Sequence, residues 1–83
     1  MSAYTVEIRV MPRASLLDPQ GQAVQHALQA LGFVEVGNVR AGKHLVLQVQ
    51  ASTREEAASK ARTMCDRLLA NPVTEDYECN VSQ

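Results

Sequence analysis

An α+β fold, in which one antiparallel sheet carries two helices on a single face, follows from three features of the 83-residue sequence. Apolar residues alternating with period two mark four strands. Apolar spacing of i, i+3, i+4 marks two helices among them, and glycine, proline and capping residues punctuate the joins. The order is strand, helix, strand, strand, helix, strand, within a single domain over 1–83.

The first strand runs from Tyr4 to Val10, with Tyr4, Val6, Ile8 and Val10 on one face and Thr5, Glu7 and Arg9 on the other. Pro12 stops it, and a loop through Leu16 and Leu17 leads to Asp18. Asp18 is a good N-cap, because its carboxylate accepts a bond from a first-turn N–H that has no partner in the helix. Pro19 suits the first helical position. Gly21 falls further in, where glycine costs about 0.5–1 kcal/mol relative to alanine. A close approach by another backbone or a ligand is expected to require it. Val24, Ala27, Leu28 and Leu31 form the apolar stripe of this helix, opposite Gln22, Gln25, His26 and Gln29. Gly32 then supplies a left-handed end, and Phe33 is placed to pack back on Leu28 in a Schellman-type stop.

Val34 and Val36 share one parity and Val39 and Ala41 the other, so the second strand carries a bulge or starts late near Gly37-Asn38. Ala41-Gly42-Lys43 is expected to turn the chain through a positive φ at Gly42, and Leu45, Leu47, Val49 and Ala51 resume the alternation as the other arm of a hairpin. Ser52 and Thr53 each precede a glutamate by three residues, so either serves as the hydroxyl of a capping box. The second helix starts near Arg54, with Ala57, Ala61, Met64, Cys65, Leu68 and Leu69 as its buried stripe, and Asn71-Pro72 ends it. The last strand spans Val73 to Val81. Two βαβ-like halves joined by a hairpin make the ferredoxin-like arrangement. Thr5, Glu7, Arg9, Val46, Gln48, Gln50 and Glu78 then lie on the uncovered sheet face. A core this small contributes only about 3–5 kcal/mol, which favours using that face for self-association.

Eight Lys and Arg stand against nine Asp and Glu, without a block of like charge. This disfavours nucleic acid, which binds through clustered positive charge. Membrane attachment is disfavoured too: apolar runs are only a few residues long, and the N-terminus has neither a basic nor an apolar stretch. A soluble, cytoplasmic protein is expected. The strand HLVLQVQ lacks the stacking aromatics of an RNA-recognition domain. Cys65 and Cys79 lack the spacing of a metal carrier and read as buried free thiols, a disulfide needing an oxidising compartment. His26 and His44 have no nucleophile at a recognisable spacing, and Glu55 and Glu56 serve a helix N-terminus. No catalytic residue and no metal set emerges. Arg40, Lys43 and His44 make a small basic projection, Pro19-Gln20-Gly21 offers free N–H groups to an anion, and Glu75-Asp76 is an acidic pair for a metal, a partner or solvent.

The stretches "LLDPQGQAVQHALQALGF", "NVRAGKHL" and "MCDRLLANPVTEDYE" resemble, in order and separation, the small subunit (PurS) family of phosphoribosylformylglycinamidine synthase. The likeness covers nearly the whole chain; Ser52-Thr53 and residues 79–83 are ordinary variation. The resemblance implies a subunit without catalytic residues or a bound cofactor of its own. Such a subunit acts as a dimer or higher homo-oligomer and bridges a glutaminase subunit, which releases ammonia, and a synthetase subunit, which uses ATP and magnesium. Partner contacts are then expected at Asp18, Pro19, Gln20 and Gly21, at Arg40, Gly42 and Lys43, and at Asn71, Pro72 and Asp76. Gly21 would be explained by a neighbouring chain lying against the helix start. The rival reading is a stand-alone regulatory module of the same shape that binds a small molecule.

Overall fold

The computed structural model describes residues 1–13 and 18–82, so the loop expected through Leu16 and Leu17 lies outside the described residues. Strand β1 (Ser2–Pro12) is followed by helix α1 (Pro19–Ala30), strand β2 (Lys43–Ala51), helix α2 (Arg54–Met64), a π-helical turn (Cys65–Leu69) and strand β3 (Glu75–Ser82). The sheet is antiparallel in the order β2-β1-β3, with Ile8 opposite Leu45 on one side and Cys79 on the other. This confirms the α+β class and the antiparallel sheet.

Alternation along β1 puts Val6, Ile8 and Val10 at zero exposure and Tyr4 nearly so, because β1 is central and α2 covers that face. Val49, Ala51, Ala57, Ala61, Cys65, Ala70 and Val81 complete the buried core. Helix α2 and the turn that follows it contribute only small side chains to the buried core, Ala57, Ala61 and Cys65, spaced i, i+4, i+8, with Ala70 just beyond, so that α2 lies close on the sheet. Its start is capped by Thr53, whose hydroxyl accepts from Glu56 N–H at 3.1 Å. Glu56 in turn accepts from the N–H of Ser52 at 3.3 Å, one residue ahead of the cap, so the two hydroxyl residues divide the capping box between them.

The expected stripe of α2 fails at its far end. Leu68 is 82% exposed and Met64 is also exposed, whereas Leu69 packs on the core. The cause is the π-helical turn, closed by Ala70 N–H donating to Cys65 O at 3.0 Å. Its wider turn adds a residue per circuit and rotates Leu68 out to solvent.

Helix α1 is punctuated as expected. Gly32 has φ +104° and donates to Gln29 O, and Phe33 N–H reaches Leu28 O at 3.0 Å, the two bonds of a Schellman ending. Its place in the chain is not the expected one, however. Gly21 is its only buried residue, Val24, Ala27 and Leu31 are exposed, and no α1 residue belongs to the core. The expected strand across Val34–Ala41 also differs: these residues form no strand, and the sheet has three strands among the described residues. In the expected topology they would have paired with the outer edge of β2. The hairpin is therefore absent, and Gly42 does not have positive φ. Glycine is required there by close packing instead: a Cβ would run into Met11 Sδ and the Val10 carbonyl of β1.

These differences set the shape. The Cα radius of gyration is 16.4 Å and the extents are 52 × 25 × 14 Å, against about 12 Å for a compact chain of this length. Only α2 sits on the inner sheet face, and Leu45 and Leu47 of β2 remain partly exposed there. The outer face carries Thr5, Glu7, Arg9, Val46, Gln48, Gln50 and Glu78 as expected, and is largely polar. Unpartnered apolar surface lies instead on α1 and along Leu31, Phe33 and Val34, where Leu31 is 74% exposed.

Candidate interaction site

Three loops meet where β1 ends and β2 and β3 begin, and the ten residues expected to contact partners all lie on or beside them. The meeting is made by hydrogen bonds to the main chain. Asp18 is the first fastening. One carboxylate oxygen accepts from Gly21 N–H at 3.0 Å, capping α1, and the other accepts from Ala41 N–H at 2.8 Å, tying the 39–41 segment to the helix start. Those two N–H donors, with the Arg40 charge adding to them, hold the Asp18 carboxyl below its ordinary range.

That fastening explains Gly21 within the chain. A Cβ at position 21 would run into the Val39 carbonyl oxygen, with the carbonyl carbon at 2.9 Å and Asp18 Oδ2 at 2.7 Å. Close approach by a backbone was the right expectation; a neighbouring chain as its source was not, since Val39 of the same chain fills the place. Pro19 and Gln20 stay exposed on the first turn of α1.

The basic residues turn to carbonyls as well. Arg40 Nη2 donates to Pro12 O, and Lys43 Nζ donates to Leu69 O at 3.2 Å. They brace loops rather than project as a free basic tip. Around the third loop, Asn71 Oδ1 accepts from Val73 N–H at 2.9 Å, and Asn71 O accepts from Glu75 N–H at 2.8 Å. Glu75 Oε1 takes Asn71 N–H at 2.7 Å. Glu75 and Asp76 therefore do not act as a pair: the first closes a turn, and Asp76 faces Arg13 Nε at 3.4 Å.

Arg13 was missed by sequence reasoning and is the hub of this end. Its N–H donates to Thr74 O at 2.9 Å and its guanidinium to Pro72 O at 2.7 Å, while also meeting Asp76. A lone cation just after a strand-ending proline gives no pattern that would reveal this. Beside it opens a shallow cleft of about 280 Å³ lined by Arg13, Cys65, Asp66, Ala70, Pro72, Glu75, Asp76 and Tyr77. Burial, then the Asp66 charge, pushes the Tyr77 phenol up, and its hydroxyl donates to Asp66 at 3.5 Å. Burial, with Cys79 and Asp66 adding to it, pushes the Cys65 thiol up. Among the described residues no group of three or more His, Cys, Asp or Glu could hold a metal, and no helix is long and apolar enough to cross a membrane. What this end can do is hold three loops in fixed relation and present Pro19, Gln20, Asn71 and Asp76 to a surface.

Comparison with known proteins gives one answer along nearly the full length. The family model described as "PurS: Phosphoribosylformylglycinamidine (FGAM) synthase" matches residues 5–83. The chain is 44% identical over 80 residues to phosphoribosylformylglycinamidine synthase subunit PurS of Bacillus subtilis, covering 96% of this chain and 94% of that one. It is 47% identical over 75 residues to the subunit of the same name from Synechocystis, covering 90% and 75%. The solved Bacillus subtilis PurS superimposes with TM-score 0.88 over 96% of this chain and 99% of that one. A chain in the structure of PurLQS from Thermotoga maritima does so with TM-score 0.89 at 32% identity, covering 99% and 100%. The match in sequence and in backbone extends over nearly the whole chain, and this chain is a member of the PurS family.

Proposed function

We propose that this chain is the non-catalytic small subunit of a phosphoribosylformylglycinamidine synthase in purine (IMP) biosynthesis, working in the cytoplasm as a homodimer or higher homo-oligomer that bridges the glutaminase and synthetase subunits. The observation that carries this reading is the bare apolar stripe of α1 beside an inner sheet face that α2 only partly covers. Val24, Leu28 and Leu31 need a partner, and Leu45 and Leu47 offer an unfilled seat in the same chain. A second copy that places its α1 stripe on this seat, and receives the first copy's stripe in return, satisfies both at once. The PurLQS structure of a relative supports membership of a three-component assembly.

In this role the chain contributes geometry. Ammonia released from glutamine is nucleophilic only while neutral and shielded from bulk solvent, so its passage between two sites benefits from a rigid part that aligns them. ATP and magnesium act at the synthetase, where the amide oxygen of formylglycinamide ribonucleotide is activated and displaced by ammonia to give the amidine. The loop end fastened by Asp18, Arg13, Arg40 and Lys43 is the surface assigned to the larger subunits.

The test mixes the purified chain with cognate synthetase and glutaminase, glutamine and magnesium-ADP, and follows co-elution. With ATP and substrate, glutamine-dependent product formation is then compared with and without the chain. Equal activity in its absence refutes bridging. Leu28→Gln with Leu31→Gln should shift the chain to monomer in sedimentation; an unchanged oligomer refutes the exchange of α1. Calorimetry on the isolated chain distinguishes the rival small-molecule module, which would bind an amino acid or nucleotide unaided.

A further inference from the structure

The seam between β3 and the end of α2, where the π-helical turn begins, holds both thiols of the chain, and neither is used in the fastening of the loops. Cys65 ends the inward row of α2 at zero exposure. Cys79 stands on the inner face of β3, opposite Ile8, partly exposed and packed against the same core; both are free. A disulfide needs Cα atoms about 4.4–6.8 Å apart, closer than most helix-on-sheet contacts allow. Here the helix face ahead of Cys65 is Ala57 and Ala61, so no large side chain props it off the strand. The two elements also touch one residue beyond Cys65 and two before Cys79, where Tyr77, on the same face as Cys79, donates to Asp66 at 3.5 Å. Burial first, and Cys79 after it, push the Cys65 thiol up, in keeping with this proximity. Cys65 is the first residue of the π-helical turn, a wider and less regular backbone than α-helix, which leaves this end of α2 room to adjust.

We propose that Cys65 and Cys79 are a redox pair that closes to an intrachain disulfide on meeting a hydroperoxide and reopens with a dithiol reductant. Cys79, the partly exposed sulfur, reacts first. Its thiolate attacks the peroxide oxygen, the O–O bond breaks, and the departing hydroxide or alkoxide takes up the proton the thiol released on ionising, so that the products are a Cys79 sulfenic acid and water or an alcohol. The Cys65 sulfur then attacks that sulfur, its proton leaving with the hydroxide as water. Two thiols lose two electrons in total, and the peroxide bond takes both. The closed bond would pin the π-helical turn to β3 on either side of the loop that carries Asn71, Pro72 and Asp76. This inference does not depend on the proposed function.

The test treats the folded, full-length chain with hydrogen peroxide, then titrates thiols and maps tryptic fragments without reduction. The expected result is loss of both thiols per chain, fragment 63–67 joined to fragment 68–83 within a single chain, and recovery of both thiols with dithiothreitol. Cys79→Ser should leave the Cys65 thiol resistant to the same treatment. The proposal is overturned by linkage between chains through Cys79, or by oxidation of Cys79 to the sulfinic acid while Cys65 stays a thiol. It is equally overturned if Cys65 oxidises as fast in Cys79→Ser as in the native chain.

Discussion

Replacing Gly21 by alanine sets two effects of opposite sign against each other. In an open helix, alanine for glycine is stabilising by about 0.8–1 kcal/mol, because the unfolded backbone has less freedom to lose. At this position the new methyl would meet the Val39 carbonyl and Asp18 Oδ2, the latter at 2.7 Å. Backbone cannot give way as a flexible side chain does, and insertion of a methyl into a tight contact costs typically about 1–3 kcal/mol. Moving residues 39–41 aside would also stretch the Ala41 N–H bond to Asp18. The balance is a net loss of about 1 kcal/mol. With an m-value of about 1 kcal/mol/M for a chain this short, the urea midpoint falls by about 1 M. The measurement is equilibrium unfolding at fixed chain concentration, since the self-association proposed above would add to apparent stability. Gly37→Ala is the matched control, because a Cβ there meets nothing within 4 Å. A Gly21→Ala chain more stable than the native one, as helix propensity alone would have it, refutes the close approach.

Two other perturbations probe the neighbouring contacts. Asp18 has its carboxyl lowered in the folded chain, so the stabilisation it brings is complete above the ordinary aspartate value near 3.8 and is lost as pH falls through the folded value. Asp18→Asn, which still caps the helix, should therefore lose less stability than the native chain as pH falls below the ordinary aspartate value of 3.8 in acid titrations; parallel curves would contradict this. Ala61→Leu drives a large side chain between α2 and the sheet, with an expected loss of about 1–3 kcal/mol in thermal or urea unfolding. A change within about 0.5 kcal/mol would show that helix and strand are not closely seated, and would weaken the case for the thiol pair as well.

Local chemistry was legible in the sequence wherever neighbours along the chain decide the outcome. Asp18, Pro19, Gly32 and Thr53 act at helix ends through bonds spanning a few residues, and the period-two pattern of β1 survives because a central strand has one face to bury. The failures share a different cause. The pattern of Val34–Ala41 suits a strand, yet a strand needs a neighbour, and within one chain these residues follow an unseated helix. The stripe of α1 was read correctly as apolar, but periodicity marks a face without saying what, if anything, in the same chain covers it. Leu68 was misplaced because a single π-helical turn changes the angle per residue without any signature in composition. The loop residues were singled out as a set, and the structure does gather them. Their work for the fold itself, with Arg13 at the centre, comes from main-chain carbonyls that a sequence does not display.

At the crowded end of the molecule, Arg13, Arg40 and Lys43 each spend a cation on a peptide oxygen. Carbonyl dipoles are not titratable, and short hydrogen bonds to them are screened by dissolved ions much less than distant charge pairs are. The geometry of that end should therefore hold its form across wide changes of ionic strength. For the aligning role proposed above, such insensitivity is a functional property in its own right.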